Sequence, residues 1–220
     1  IVVAIDAKKK SDNFFKNRFI HPVNNAYLLM MLNYCSYYEL MKKVAINYGL
    51  LMASVGIIFT LGCYIIDESL FVNPVGSVSV LIISLAIPFF GIRSYKKLNN
   101  GFATFRESFS AFMLPVIVSL FVSLIFNLLM YNVIDSELSS RQGEMTFETM
   151  MEMPEEQLQT TIQFMGIDSI DDLEDKIISE GKKNMSLTGQ LKSSAFNFII
   201  LAFIALIAAA VSKKNPPEFE

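Results

Sequence analysis

Ionisable side chains are missing from four long stretches of this 220-residue chain. No Asp, Glu, Lys, Arg or His interrupts these apolar runs, although charged residues make up 18% of the whole sequence. Each run is about long enough to cross a hydrocarbon core of ~30 Å as a helix. Ion-coupled pumps usually place ionisable groups in the membrane, so the sequence argues against such a pump. The runs are Val44–Ile66, Val75–Ile92, Ala111–Ile134 and Ala195–Val211.

Histidine and cysteine are also scarce. His21 is the single histidine, which excludes a histidine-based metal cluster or catalytic dyad. The two cysteines, Cys35 and Cys63, give no disulfide framework, and Cys63 lies inside an apolar run. We therefore expect no metal ion and no other cofactor, and we assign no residue a catalytic role.

Positive and negative charges flank the runs on alternate sides. Bases precede the first run (Lys42, Lys43), separate the second from the third, and follow the fourth (Lys213, Lys214). Residues 135–192 hold thirteen acids and five bases, a net charge of -8, so the rest of the chain carries +5 of the total of -3. The positive-inside rule places the basic flanks in the cytoplasm and the acidic segment outside. This separation of charge also argues against a nucleic-acid-binding protein.

These patterns predict an all-α, polytopic membrane protein with four transmembrane helices and an extracytoplasmic helical hairpin between the third and fourth. We expect it in the inner (cytoplasmic) membrane, surrounded by the lipid bilayer, with both termini in the cytoplasm. The membrane domain covers residues 41–214, its acidic insertion covers 135–191, and 215–220 form a short tail. A cleaved signal is the alternative for the first run, but signal cores are only about 7–15 residues long.

Residues 1–40 differ in composition from the remainder. They contain no glycine, and 21 of the 40 are Phe, Tyr, Met, Ile, Asn or Lys, the amino acids of AT-rich codons. Met41, Lys42 and Lys43 then lead into an apolar run, as at a natural start. We expect residues 1–40 to be translated upstream sequence. The alternative is a cytoplasmic tail, which their five bases and three acids also suit.

A basic connector joins the second and third runs. Asn99, Asn100 and Gly101 predict a turn, and Thr104 and Glu107 predict a helix N-cap with a capping box. Four phenylalanines then recur at three- and four-residue steps, which predicts an amphipathic helix in the membrane interface. We take this segment as a candidate surface for a partner; the alternative is a lead-in that sets the tilt of the third span. The candidate residues are Phe102, Phe105, Arg106 and Phe109, with Phe112 continuing the stripe.

The chain resembles a family of short Bacteroidota membrane proteins known as domain of unknown function 4199. The resemblance covers Met41 to about Lys214 and is carried by the connector element from Gly101 to Phe109, GFATFRESF, and by the order of spans and loops. That family has no assigned activity, so the resemblance implies a fold and a membrane location but no site residues.

The acidic segment contains two readable helices. Pro154 begins one that Gly166 ends, and Asp168 or Ser169 begins another that Gly181 ends. The acids of the second helix could bind Ca²⁺, but they lack the spacing and the glycine of an EF-hand, and a solvated face is the favoured interpretation. Those acids are Asp168, Asp171, Asp172, Glu174 and Asp175.

Methionines cluster before the first of these helices. Met150, Met151 and Met153 lie within four residues of one another, with Met145 nearby. Methionine suits irregular apolar surfaces and adaptable interfaces, so we take these three residues as a second candidate interaction surface. Binding of a soft metal by thioether sulfurs is the alternative.

Three functions fit these observations to different degrees. The leading hypothesis is a non-catalytic accessory or interaction protein, bound to a membrane protein partner or to copies of itself. The family resemblance implies a link of this role to envelope assembly. A small oligomeric carrier of a lipid or lipid-linked substrate comes second. A membrane enzyme that acts on a lipid comes third, because it would need clustered ionisable groups that the sequence does not offer.

Overall fold

The computed structural model describes residues 22–166 and 170–216, which form seven α-helices. Contacts between residues divide the chain into two units, with the boundary between Leu40 and Met41. The helices are α1 (Pro22–Ile66), α2 (Pro74–Leu98), α3 (Phe105–Leu129), α4 (Leu138–Met151), α5 (Glu155–Met165), α6 (Ile170–Met185) and α7 (Leu187–Ser212). The tail expected at 215–220 is described only as far as residue 216.

Four of these helices are long and apolar enough to cross a membrane, as the sequence predicts. The candidate spans are Cys35–Ile66, Pro74–Leu98, Phe105–Ile134 and Leu187–Ser212. Each is longer than the apolar run that predicts it, because the helix continues into the charged flanks. The third span is α3 together with a π-helical turn at Met130–Ile134.

Local capping explains where α2 begins. Asn73 accepts hydrogen bonds from the backbone N–H groups of Val75 and Gly76, and Pro74 occupies the first turn, where its missing N–H is not needed. Pro88 and Pro115 lie inside α2 and α3, and both helices continue through them. Both prolines are buried, so they pack against neighbouring side chains within the protein.

Close approach at two glycines joins the spans on the side of the connector. A methyl group on Gly91 would lie 2.9 Å from the carbonyl oxygen of Ala111, and one on Gly49 would lie 2.8 Å from that of Pro115. Only a glycine lets the backbones of neighbouring helices come so near. Gly56 shares a side of α1 with Gly49, but nothing lies within 4 Å of its methyl position.

The segment between α3 and α7 contains three helices rather than the expected two. The additional helix is α4, and it runs antiparallel to α6. A methyl group on Gly143 would lie 3.0 Å from Ile178 Cα, and one on Gly181 would lie 3.4 Å from the Ser139 carbonyl oxygen. Gly166 ends α5 in the left-handed conformation, as predicted (φ 63°). The expected stop at Gly181 is wrong, since α6 continues to Met185. The expected starts of that helix, Asp168 and Ser169, lie outside the described residues.

Candidate interaction surfaces

The connector forms the cap that the sequence predicts. Asn100 and Gly101 adopt positive φ angles in the turn. The hydroxyl of Thr104 accepts a hydrogen bond from the Glu107 N–H at 3.3 Å, and Glu107 Oε2 accepts one from the Thr104 N–H at 2.7 Å, which completes the capping box. The other carboxylate oxygen of Glu107 accepts a bond from the buried Tyr95 hydroxyl at 2.8 Å. Both oxygens of this carboxylate are therefore engaged within the protein.

The phenylalanines of the connector do not form one face of a separate helix. The helix runs without interruption from Phe105 into the third span. Phe112 is fully buried and meets Phe89 edge-on, with ring centroids 5.2 Å apart. The expected amphipathic helix lying in the interface is thus wrong. From Phe105 onward its residues form the first turns of α3, because the capping box fixes the helix start there. This agrees with the alternative, a lead-in to the third span.

The candidate residues of the connector have different environments. Phe105 is 42% exposed, Arg106 is exposed, and Phe102 and Phe109 are half-buried. The ammonium group of Lys214 lies 5.3 Å from the ring centroid of Phe102, within the range of a cation–π contact. Beside it, Ala103 and Lys214 exchange two backbone hydrogen bonds of 2.9 and 2.7 Å. The residues after α7 are thereby tied to the connector, a pairing that no local pattern predicts.

The helical module, α4 to α6, has an apolar core of its own. Met150, Leu158, Ile162 and Leu173 are buried together, with Phe147 and Ile177 against them. One candidate methionine, Met150, is therefore a core residue. The other two are exposed, Met151 at 42% and Met153 at 39%. The structure thus separates the three methionines that the sequence analysis grouped.

Further apolar side chains are exposed at the end of the module farthest from the spans. Because α4 and α6 are antiparallel, the chain reversals after α4 and before α6 lie at this far end. Phe164, near the end of α5, is 91% exposed, and Ile170 opens α6 with 40% exposure. We call these two residues, together with Met151 and Met153, the far-end surface. Phe164 and Ile170 were not among the sequence candidates, since a helix stripe does not reveal which apolar residues stay uncovered.

A salt-bridge cluster attaches the module to the spans. The Arg141 guanidinium donates to both oxygens of Glu68 at 2.8 Å and to Asp135 at 2.7 and 3.3 Å. Asp135 also accepts the backbone N–H groups of Glu137 and Leu138 at 3.1 Å, and the Tyr64 hydroxyl at 3.3 Å. Sequence reasoning missed this cluster. The sequence did offer one indication of it, because Arg141 is the only basic residue between positions 135 and 175 of an otherwise acidic segment.

The electrostatics of this cluster favour its charged form. Hydrogen bonds from Arg141 hold the pKa of both the Glu68 and Asp135 carboxyls below their usual values. The same two partners raise the pKa of the Arg141 guanidinium. The Arg141 side chain is 37% exposed, so the pairs are partly open to solvent. Such pairs orient one element against another but stabilise the fold only modestly.

An open groove of about 270 Å³ lies between α4 and α6. Polar side chains of Gln142, Thr146 and Asn184 line it together with Glu180. Within the described residues no group of histidines, cysteines and carboxylates is arranged to hold a metal ion. Asp168, one of the acids considered for Ca²⁺, lies outside those residues. The groove presents hydrogen-bonding groups but no nucleophile paired with a base.

The fold defines a multi-pass membrane protein with a helical module between its third and fourth spans. A family model described as a protein of unknown function (DUF4199) matches residues 47–214, which is more than half of the chain. The protein therefore belongs to this family, as the connector element and the order of spans predict. Neither the curated proteins nor the solved structures contain a match to the chain.

Proposed function

We propose that this protein is a non-catalytic accessory protein of envelope assembly, which binds a protein partner through the far-end surface of its helical module. The observation that carries this proposal is the exposure of Phe164. The module has a buried core, yet it leaves this large aromatic ring 91% exposed outside the candidate spans. Exposed aromatic and methionine side chains on a small domain are typical of contact sites.

The charge of the module indicates the chemistry of the partner. Glu148, Glu152, Glu155 and Glu156 surround the two exposed methionines in sequence, and all four are exposed. A partner that places apolar side chains on this surface would need basic residues at its edges. A basic amphipathic segment of another protein has that chemistry. A second copy of the same module would carry the same net charge, -7 over residues 138–185, and be repelled.

The charge pattern along the chain also supports an orientation. We infer that the connector and both termini lie in the cytoplasm and that the module faces the outside of the inner membrane. In that orientation, protease added to inverted membrane vesicles would leave the module intact, whereas cleavage of the module there would reverse the assignment.

Affinity purification from native membranes tests the proposal. The full chain carries a C-terminal tag, is solubilised gently, and is compared with a variant in which Phe164, Met151 and Met153 are replaced by serine. Gln159→Ser is the matched control, because Gln159 is exposed on α5 but lies about 140° around the helix from Phe164. We expect a stoichiometric protein partner with the wild type and the control, and its loss with the far-end variant.

Other results would replace the proposal with another function. A chain that purifies without protein but with one enriched lipid species would favour a lipid carrier. A purified chain that modifies a lipid on its own would establish an enzyme. If the wild type, the far-end variant and the control retain the partner equally, the partner binds at a site other than the far-end surface.

A further inference from the structure

Basic side chains gather at the connector end of the spans. Five of the six cations on α2, α3 and the residues after α7 are exposed, and Lys96 is half-buried. None of the six pairs with a carboxylate among the residues that the structure describes. They are Arg93, Lys96, Lys97, Arg106, Lys213 and Lys214.

The packing of the helices brings these cations to one end. Gly91 of α2 approaches the backbone of Ala111 in α3, so the helix ends that carry Arg93 and Arg106 are neighbours. The backbone pairing of Ala103 with Lys214 holds the residues after α7 against the same connector. The positive charges of three elements therefore act together on one region of the membrane surface.

Little negative charge offsets this region. Glu107 is the one acidic residue between positions 93 and 110. Its two carboxylate oxygens already accept hydrogen bonds from the Tyr95 hydroxyl and the Thr104 backbone N–H. Among the described residues, no carboxylate is therefore left to neutralise Arg93 and Lys97.

One face of α2 is complementary to an anionic phospholipid, because exposed apolar residues on it are followed by two basic residues. Ile83, Phe90 and Lys97 are seven residues apart, so they share a side of the helix, and Arg93 lies on that side between the last two. Ile83 is 50% and Phe90 53% exposed, and both lie within the apolar part of the span. Arg93 and Lys97 are exposed and lie about 5 and 10 Å farther along the helix. An apolar track thus leads directly to two unpaired cations.

We infer that the connector end binds an anionic phospholipid, with its phosphate between Arg93 and Lys97 and an acyl chain along Phe90 and Ile83. Basic residues at the water end of a span attract anionic headgroups, and the apolar track selects a lipid over a free phosphate ion. The remaining cations of this end raise the local positive potential. The site is independent of the far-end surface, which belongs to the opposite end of the spans.

Native mass spectrometry of the full chain tests this inference. The protein is released from a neutral detergent in the presence of equal amounts of phosphatidylglycerol and phosphatidylcholine with matched acyl chains. The test variant is Arg93→Gln with Lys97→Gln. The control is Lys182→Gln with Lys183→Gln, which removes the same charge from exposed lysines at the end of α6. We expect the wild type and the control to bind more phosphatidylglycerol than phosphatidylcholine. In the test variant, the ratio of bound phosphatidylglycerol to bound phosphatidylcholine should fall about tenfold.

Several outcomes would overturn the inference. Equal binding of both lipids by the wild type would show that there is no selective site for an anionic lipid. An equal loss of the phosphatidylglycerol preference in the test and control variants would indicate an unspecific effect of charge. Displacement of phosphatidylglycerol by inorganic phosphate alone would assign the cations to a soluble anion. If the test variant does not fold, Arg93→Lys with Lys97→Arg must keep the preference, and added salt must weaken it in the wild type.

Discussion

The two ends of the membrane spans hold their polar side chains in different ways. At the connector end, Glu107 bonds to Thr104 and Tyr95, which are three and twelve residues away. At the module end, Arg141 pairs with Glu68, which is 73 residues away. The first arrangement is nearly fixed by local chain geometry, whereas the second forms only after the spans and the module have come together. The capping of α3 at the connector end is therefore largely local, whereas the salt bridges at the module end depend on tertiary structure.

This contrast extends to packing. At the connector end, helices approach through glycine backbones, and Tyr95, Phe112 and Val116 are fully buried among the spans. The module buries most of its apolar residues in a cluster of its own. Its two ends, at Leu138 and Met185, pack against the third span, at Met130 and Tyr131. Damage to one core should therefore leave the other largely intact, and substitutions can separate the two.

The largest effect is expected from Leu173→Ala in the module. Leu173 is fully buried between α4 and α5, and removal of such a side chain costs about 2–5 kcal/mol. A module of three short helices would not tolerate that loss well. We expect rapid cleavage within residues 138–185 under limited proteolysis, while the spans remain intact. Leu187→Ala is the control, because this leucine is 53% exposed. Equal cleavage of the two variants would contradict a separate module core.

A smaller effect is expected from Gly91→Val at the connector end. The new side chain would begin 2.9 Å from the Ala111 carbonyl oxygen, and overpacking of this kind costs about 1–3 kcal/mol. We expect a lower midpoint of thermal unfolding in detergent, with no change in proteolysis of the module. Gly56→Val is the control, since nothing lies within 4 Å of its methyl position. A module that becomes protease-sensitive in Gly91→Val would mean that the two ends are coupled.

The same division explains what the sequence could and could not predict. The spans, the Thr104 cap and the Gly166 stop follow from patterns within a few neighbouring residues, and the structure confirms each of them. The helix α4 was missed because its sequence, LSSRQGEMTFETMM, is polar and contains a glycine. That glycine is needed where α4 meets the backbone of Ile178, a contact 35 positions along the chain.

The candidate surfaces were predicted less completely than the fold, for a related reason. Spacing alone places Met150, Met151 and Met153 together, but burial depends on where α5 and α6 fold back. Met150 turns into the core, and Phe164 takes a place on the surface that no periodic pattern marks. Likewise, Phe112 leaves the expected amphipathic stripe because α2 supplies Phe89 to cover it.

The smallest effect, and the one most specific to the module end, is expected from acid. The pKa values of Glu68 and Asp135 lie below the ordinary 4.5 and 3.8 because both carboxylates accept bonds from Arg141. Their stabilising contribution is therefore complete above those values, and it is lost as the pH falls through the lowered values. The measurement is the difference in unfolding midpoint between the wild type and Arg141→Gln at each pH.

We expect that difference to be largest near neutral pH and to shrink below about pH 4, since protonated carboxyls no longer pair with Arg141. Taking a difference removes the titration of every group whose pKa does not depend on Arg141. Lys182→Gln provides the control, because it removes an exposed cation from the module without breaking an ion pair of the described residues. A difference that stays constant with pH would mean that Arg141 acts through packing of its side chain. The attachment of the module would then rest on shape rather than on charge.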